Sequence, residues 1–397
     1  MTQLFKKWCT DPKLSQYDSV DLVRADHWNH VVGDENVYLS LAYLGALEKA
    51  LNGDIDFRYT IFYNDKLQPV AASYIQIMHY SGGDGDLKFN DTFCRVGDHI
   101  KSKLIGSIDA RVLICGNVFA SGENGFAFTD DIKPKEAYKM LAQSMKRMAQ
   151  EKETNGQISF GLLKEFWPQT LNHSNSLEDE NFKAFEIDVN MVLNVHPTWK
   201  TFEDYLDSMT TKFRTKAKGV LKKSSDLMVI DMNLNQVIAH QDRIEELYLA
   251  VLDNAEFKFG QLNAQAFVNL KQNLGDRFTL KGYFLSEKLV GFSTVFLCND
   301  KADANYVGID YECNKEYAVY QRMLYDFVEF AIDKKLVQMR LGRTAETLKS
   351  SVGAEPVNMK LYIRHRNSIS NTLIGPLVSS ISPSEFELRP PFKAAFA

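Results

Sequence analysis

Arg343 and Lys349 follow a short apolar strand (Val337, Met339, Leu341) that ends at Gly342, a residue that lets neighbouring groups approach closely. Arg343 therefore falls at a strand end, where open mixed sheets place their ligand contacts. Thr344 reads as the N-cap of a short helix, Thr347-Leu348-Lys349 as its first turns and Gly353 as its close. In that arrangement Arg343 and Lys349 bracket an anion, with free N–H groups at the helix start between them. The same residues admit a plainer reading, in which Arg343 pairs with Glu346 and Lys349 is solvated.

A second constellation lies between Thr210 and Ser225. It holds Lys212, Arg214, Lys216, Lys218, Lys222 and Lys223 and no acid. At helical spacing Lys212 aligns with Lys216, and Arg214 with Lys218 and Lys222. Like charges repel, so such a helix is costly unless an anion neutralises it. It faces a CoA 3′-phosphate, a lipid phosphate or a tRNA backbone, or it is simply a solvated face. No G-x-S-x-G or papain-like Cys motif is present, so nucleophilic catalysis has no carrier. The five cysteines are scattered without a C-x-x-C pair, and the eight histidines show no ligand spacing. No metal is expected, and the thiols fit a reduced, cytoplasmic setting. Lys6 and Lys7 precede no apolar h-region, so no signal peptide is read, and no apolar stretch is long enough for a transmembrane helix.

The elements that must position these groups come in a repeated order. Phe57–Tyr63 and Val70–Ile77 read as a hairpin about Asn64-Asp65-Lys66. Phe278–Leu285 and Val290–Leu297 read as another about Ser286-Glu287-Lys288. Each follows a helix, Val37–Leu51 or Ile244–Ala255. Each precedes a strand–helix–strand unit: Arg111–Asn117, Lys135–Gln150 and Gln157–Leu163, then Asn305–Ile309, Ala318–Lys334 and Val337–Leu341. That order predicts an α/β fold with a mixed sheet and helices on its faces. The join lies near His196-Pro197, which divides the chain into residues 1–195 and 196–397. An insertion at 80–110, Gly/Asp-rich at its start, reads as a long loop or lid.

The chain's 397 residues suit two domains, and 45% hydrophobic with 24% charged residues is an ordinary globular balance. The net charge of −5 excludes global docking on nucleic acid or an anionic membrane, so any such contact is local.

Two stretches resemble signatures of the acyltransferases that combine the GNAT fold with the FemAB-like duplication of peptidoglycan-bridge aminoacyl transferases. One runs from Trp199-Lys-Thr-Phe-Glu-Asp-Tyr-Leu to Lys212-Phe213-Arg214-Thr-Lys216-Ala-Lys218. The other is Leu341-Gly342-Arg343-Thr344-Ala345, then Lys349, Gly353-Ala354-Glu355-Pro356 and Leu361-Tyr362. The resemblance implies tandem duplicated GNAT-like domains, with the site in the second. It implies an N-acyltransferase that moves an acetyl, other acyl or aminoacyl group from acetyl-CoA, another acyl-CoA or a tRNA ester to an amine. The amine would belong to a small molecule or to a cell-wall or lipid-linked substrate; DNA is not expected. Asn305–Tyr311 takes the place of the strand that carries the donor, with Asp310 as base and Tyr306 or Tyr311 as acid. Arg343, Thr344, Lys349, Arg214, Lys218 and Lys315 would hold donor or substrate. The chain departs from the pattern after that strand. Glu312-Cys313-Asn314-Lys315-Glu316-Tyr317 stands where CoA-binding domains carry a glycine-rich pyrophosphate loop. The first half is glycine-rich there, from Gly116 to Gly125, but Asp130-Asp131 follow. The long helical insertion of tRNA-dependent relatives is absent, which weighs against tRNA. These departures leave a second reading, a non-catalytic binding protein that kept the fold.

Overall fold

The computed structural model describes residues 13–51, 53–81, 109–151, 157–254, 260–378 and 386–396. The expected 80–110 loop therefore lies almost wholly outside the described residues. In chain order the strands are β1 (Leu14–Tyr17), β2 (Asp56–Tyr63), β3 (Pro69–Ser81), β4 (Asp109–Cys115), β5 (Phe126–Phe128), β6 (Ile158–Phe166) and β7 (Lys183–Asn194). They continue as β8 (Leu227–Asp231), β9 (Phe278–Leu285), β10 (Lys288–Cys298), β11 (Lys301–Ile309), β12 (Gln338–Arg340) and β13 (Glu355–His365).

Two compact units result. The first comprises residues 1–187, 255–261 and 358–383, and the second 188–254, 262–357 and 384–397. Residues 358–383, which a split at 195/196 assigns to the second half, thus cluster with the first. Each unit's sheet ends on a strand reached across the halves of the sequence. Periodicity shows that a segment is a strand but not which neighbour it takes.

The first unit's strands run β1-β2-β3-β4-β6-β13, with β5 beside β3. The β2–β3 hairpin is set by Asn64, whose Oδ1 accepts from the N–H groups of Lys66 and Gln68. The segment expected as one helix from Val37 is a 3-10 turn, Val37–Leu39, followed by the helix Leu41–Leu51. Ser40 makes the break: its Oγ donates to the Val37 carbonyl and accepts from the Tyr43 N–H. The helix Pro134–Met148 buries Tyr138, Leu141, Ala142 and Met145, spaced three and four apart, on Ile75, Leu113 and Leu163.

The second unit's strands run β7-β12-β11-β10-β9-β8. The helix Val319–Asp333 buries Met323, Leu324, Phe327, Val328 and Ala331 against β10, β11 and β12, the main core of this unit. On the other side of β11, Tyr306 meets Tyr248, Phe267 and Phe296 edge-on. The fold is therefore a pair of mixed α/β units, as the element order implies.

Candidate active site

The site begins with a fault in β11. Ser293 faces Val307 and Val295 faces Ala304, so Asn305 and Tyr306 together oppose Thr294. This is a β-bulge on β11. The Thr294 side chain seals it, with Oγ1 donating to the Tyr306 carbonyl and accepting from the Tyr306 N–H. β12 pairs with β11 in parallel only at Lys301, Ala302 and Asp303. Beyond Asp303 that edge of β11 has no strand neighbour among the described residues. After the bulge, Gly308 lies opposite Phe292 and the Asp310 N–H donates to the Val290 carbonyl. Strand alternation then turns the N–H groups of Val307 and Ile309 away from β10, towards the open edge. Gly308 must be a glycine here: a side chain would run into the Phe292 ring and Leu247. Across the gap the chain beyond β12 is held to β7, where the Leu341 N–H donates to the Met191 carbonyl and the Met191 N–H to the Gly342 carbonyl. The result is a V between β11 and β12.

Asp310, expected as the base, closes β11 as the N-cap of a helix, Tyr311–Tyr317, where a loop was expected. Its Oδ1 accepts from the N–H groups of Glu312 and Cys313. Its Oδ2 meets Arg243 at 2.7 Å and Lys288 at 2.8 Å. Burial raises the carboxyl, but the bond and charge of Lys288, the Cys313 amide and Arg243 outweigh it and hold the pKa below the ordinary value. A carboxylate so stabilised is a weak base at neutral pH. Tyr306 is buried among its three aromatic neighbours and faces away from the sheet plane in which the V opens. Tyr311 is exposed, and burial of its ring raises its hydroxyl, so the phenol stays protonated at neutral pH. Lys315 is exposed, and its carbonyl accepts from Lys223 at 3.4 Å.

The turn after β11 does not fit a pyrophosphate. The N–H groups of Glu312 and Cys313 are held by Asp310, that of Ala318 by the Asn314 carbonyl and that of Tyr320 by the Asn314 side chain. Glu312 and Glu316 add negative charge. A cradle needs free amides and no nearby acid, and these four amides are used internally while two acids stand beside them.

Arg343 follows Gly342 at the mouth of the V. Thr344 is no N-cap: it is exposed with φ 63, and the helix Glu346–Ser350 starts from Ala345, φ 53, without a side-chain cap. Lys349 is buried rather than solvated, and its Nζ donates to the Arg343 carbonyl at 2.5 Å. Burial pushes its ammonium down to about 7; Glu346 opposes the shift and Arg343 adds to it. Lys349 thus ties the left-handed turn Gly342–Ala345 from within.

The basic run forms the helix Thr211–Lys223. It is not wholly unpartnered. The preceding helix, Phe202–Ser208, supplies carboxylates: Arg214 pairs with Asp207 at 2.9 Å and Lys218 with Glu203 at 3.3 Å. Lys212 and Lys216 lie on another face and, among the described residues, receive none. Residue types along the helix could not separate the two sets. The signal available in the sequence was the acidic pair Glu203 and Asp207 just before it.

No family model matches the chain, and no curated protein matches it in sequence. Among solved structures it resembles FemX at 11% identity and TM-score 0.53, over 87% of this chain and 96% of that one. It also resembles a tandem GNAT protein from the clavulanic acid biosynthesis pathway at 9% identity and TM-score 0.51, over 89% of this chain and 99% of that one. These likenesses show the fold, and they extend over nearly the whole chain. Among the described residues there is no metal-binding cluster and no helix long and apolar enough to cross a membrane.

Proposed function

We propose that the protein is an N-acyltransferase whose reaction takes place in the V beside β11 of the second unit. The observation that carries this reading is the bulge at Asn305 and Tyr306, which leaves the Val307 and Ile309 amides facing an open edge. An N–H fixed in this way polarises the donor carbonyl and stabilises the oxyanion that forms when the amine attacks. The C–N bond forms, the bond from acyl carbon to sulfur or oxygen breaks, and the proton lost by the amine ends on the leaving group. Tyr311, whose phenol is exposed and protonated, can give its own proton to the leaving group and take the amine's in return. Asp310 fixes the end of β11 and the following helix. Most of the catalysis is positioning, so no nucleophile is required.

The donor is an acyl or aminoacyl ester or thioester, and the acceptor is an amine on a small molecule or on a cell-wall or lipid-linked substrate. The sealed turn after β11 favours one alternative, a binding protein without turnover. Mass spectrometry of a mixed amine panel with acetyl-CoA, longer acyl-CoAs and aminoacyl-tRNA separates the two. An acylated amine that vanishes in the Val307→Pro variant is expected. Acylation of none of the amines by any donor, with the chain folded, sinks the transferase reading.

A further inference from the structure

The apex of the V has a polar floor on the Tyr306 side of the sheet. Asp303 and Arg340 form its last rung: they face each other across β11 and β12, and their side chains pair at 3.5 Å. Both alternate with residues of the apolar core, Ala302, Ala304 and Met339, so they point to the opposite side of the sheet. Asn190 of β7 comes next. Its neighbour Met191 faces that core, which turns Asn190 to the side of Asp303 and Arg340. The Met191 N–H donates to the Gly342 carbonyl at 3.0 Å, so Asn190 stands beside the Gly342–Arg343 turn, where β12 has parted from β11. Gly342 puts no side chain into that gap. Among the described residues a Cβ there would meet nothing closer than the Ala304 carbonyl, at 3.8 Å. Asn190 is 1% exposed, and its Oδ1 has no hydrogen-bond partner among the described residues. An unpaired buried amide oxygen is costly, and native proteins keep one where a water, an ion or a substrate completes the bond.

We propose that Asn190 orients the attacking amine, its Oδ1 accepting an N–H of a primary amine at the apex of the V. This rests on the transferase reading and deepens it by naming the class of acceptor. At the point of reaction the donor's carbonyl oxygen takes the amides of β11, and the leaving sulfur or ester oxygen carries no N–H. The N–H that completes Oδ1 therefore belongs to the acceptor. A primary amine has two N–H bonds and a lone pair. The lone pair forms the C–N bond, one proton goes to the leaving group, and the second N–H stays on Oδ1 from bound amine to product amide. A secondary amine has a single N–H, which the reaction removes, so Oδ1 ends unpaired. A site built to bond an N–H rejects the analogue that lacks it. A neutral amide oxygen also leaves the amine reactive, whereas a carboxylate in its place would favour the charged ammonium.

The test compares the full chain with its Asn190→Leu variant against the donors named above. Each primary amine is set beside its N-methyl derivative, benzylamine beside N-methylbenzylamine for one. Wild type should prefer the primary amine in kcat/KM by about 10²-fold or more. Asn190→Leu should erase that preference and slow transfer to the primary amine about 10²-fold. Its Tm should stay at or above that of wild type, because an unpaired oxygen has been replaced by apolar atoms. Asn190→Ala decides the matter where leucine disrupts the fold. A fall in Tm with transfer per folded molecule unchanged shows a merely structural amide and overturns the proposal. Wild-type acylation of the N-methyl derivatives as fast as of the primary amines overturns it as well. Either result leaves the transferase reading standing, whereas acylation of no amine by any donor removes both.

Discussion

The first unit joins β4 to β6 from Arg111 through Cys115, to the end of β4, while the second joins β11 to β12 only from Lys301 to Asp303. Both are the central parallel pairs of similarly ordered sheets, and both contain a bulge. In the second unit the bulge falls on β11 and frees its outer edge. In the first it falls on β6, where Lys164 and Glu165 together oppose Leu361 of β13. There it turns charge inward. Lys164 donates to the carbonyls of Asn117 and Ala120, Glu165 accepts from the Gly122 N–H, and the two pair at 3.3 Å. The glycine-rich run 116–125 is accounted for by this packing: Gly116 lies against the Lys164 side chain and Gly122 against the Trp167 indole. The same device opens one sheet and seals the other, according to the strand that carries it.

Variants can break this contrast at either end. Removing Lys164 takes away a cation paired with the buried Glu165, so Lys164→Ala should cost roughly 3–5 kcal/mol in urea unfolding. The double change Lys164→Met/Glu165→Leu should recover most of it. Recovery to no extent would show that the pair does more than plug the sheet. In the second unit, Val307→Pro removes an N–H that faces no strand. Acyl transfer should fall on the order of 10²–10³-fold with little change in Tm. The same substitution at Leu113 in β4, paired on both sides, should instead prevent folding.

Lys349 sharpens the contrast through pH. Its pKa is lower folded, about 7, than the ordinary 10.5, so the unfolded chain binds the extra proton between those values. Stability should therefore rise with pH across that window, by at most ~1.4 kcal/mol per pH unit from this group. Comparing unfolding curves of wild type and Lys349→Met isolates its share, and parallel profiles would show that the lysine is not held at low pKa. The smallest effect belongs to Asp310→Ala, which removes a helix cap and the carboxylate that Lys288 pairs with, while Arg243 keeps Glu246 and the Leu289 carbonyl. A loss of about 1–2 kcal/mol is expected by thermal denaturation at neutral pH. Because the Asp310 pKa is lowered, its contribution is present at neutral pH and fades as the solution becomes acidic.

Much of the frame was legible because it is local. The hairpins about Asn64 and Ser286, and the helices Pro134–Met148 and Val319–Asp333, follow from alternation and three-four spacing. The site was legible in place but less so in role. Asp310 lies just beyond the end of β11 and Tyr306 on the strand itself. Yet Arg243, distant in the chain, turns the first into an ion-paired cap, and Phe267 and Tyr248 bury the second. Thr344 was unreadable as a left-handed residue because threonine seldom adopts that conformation. The free amides of Val307 and Ile309 have no letter at all: they depend on where β12 stops pairing.

The path of β13 has a consequence for how the chain is made. Ser174 and Tyr362 touch across 188 positions of sequence, and β6 waits for β13 as its outer neighbour. On a ribosome the first unit cannot complete its sheet when its own half has emerged. It must hold the edge of β6 open until β13, far along the chain, has been synthesised. Contacts of such separation slow folding, and an unpaired edge invites aggregation meanwhile. A fragment ending at the apparent midpoint would carry that exposed edge permanently, so dissecting this protein into halves calls for moving residues 358–378 with the first.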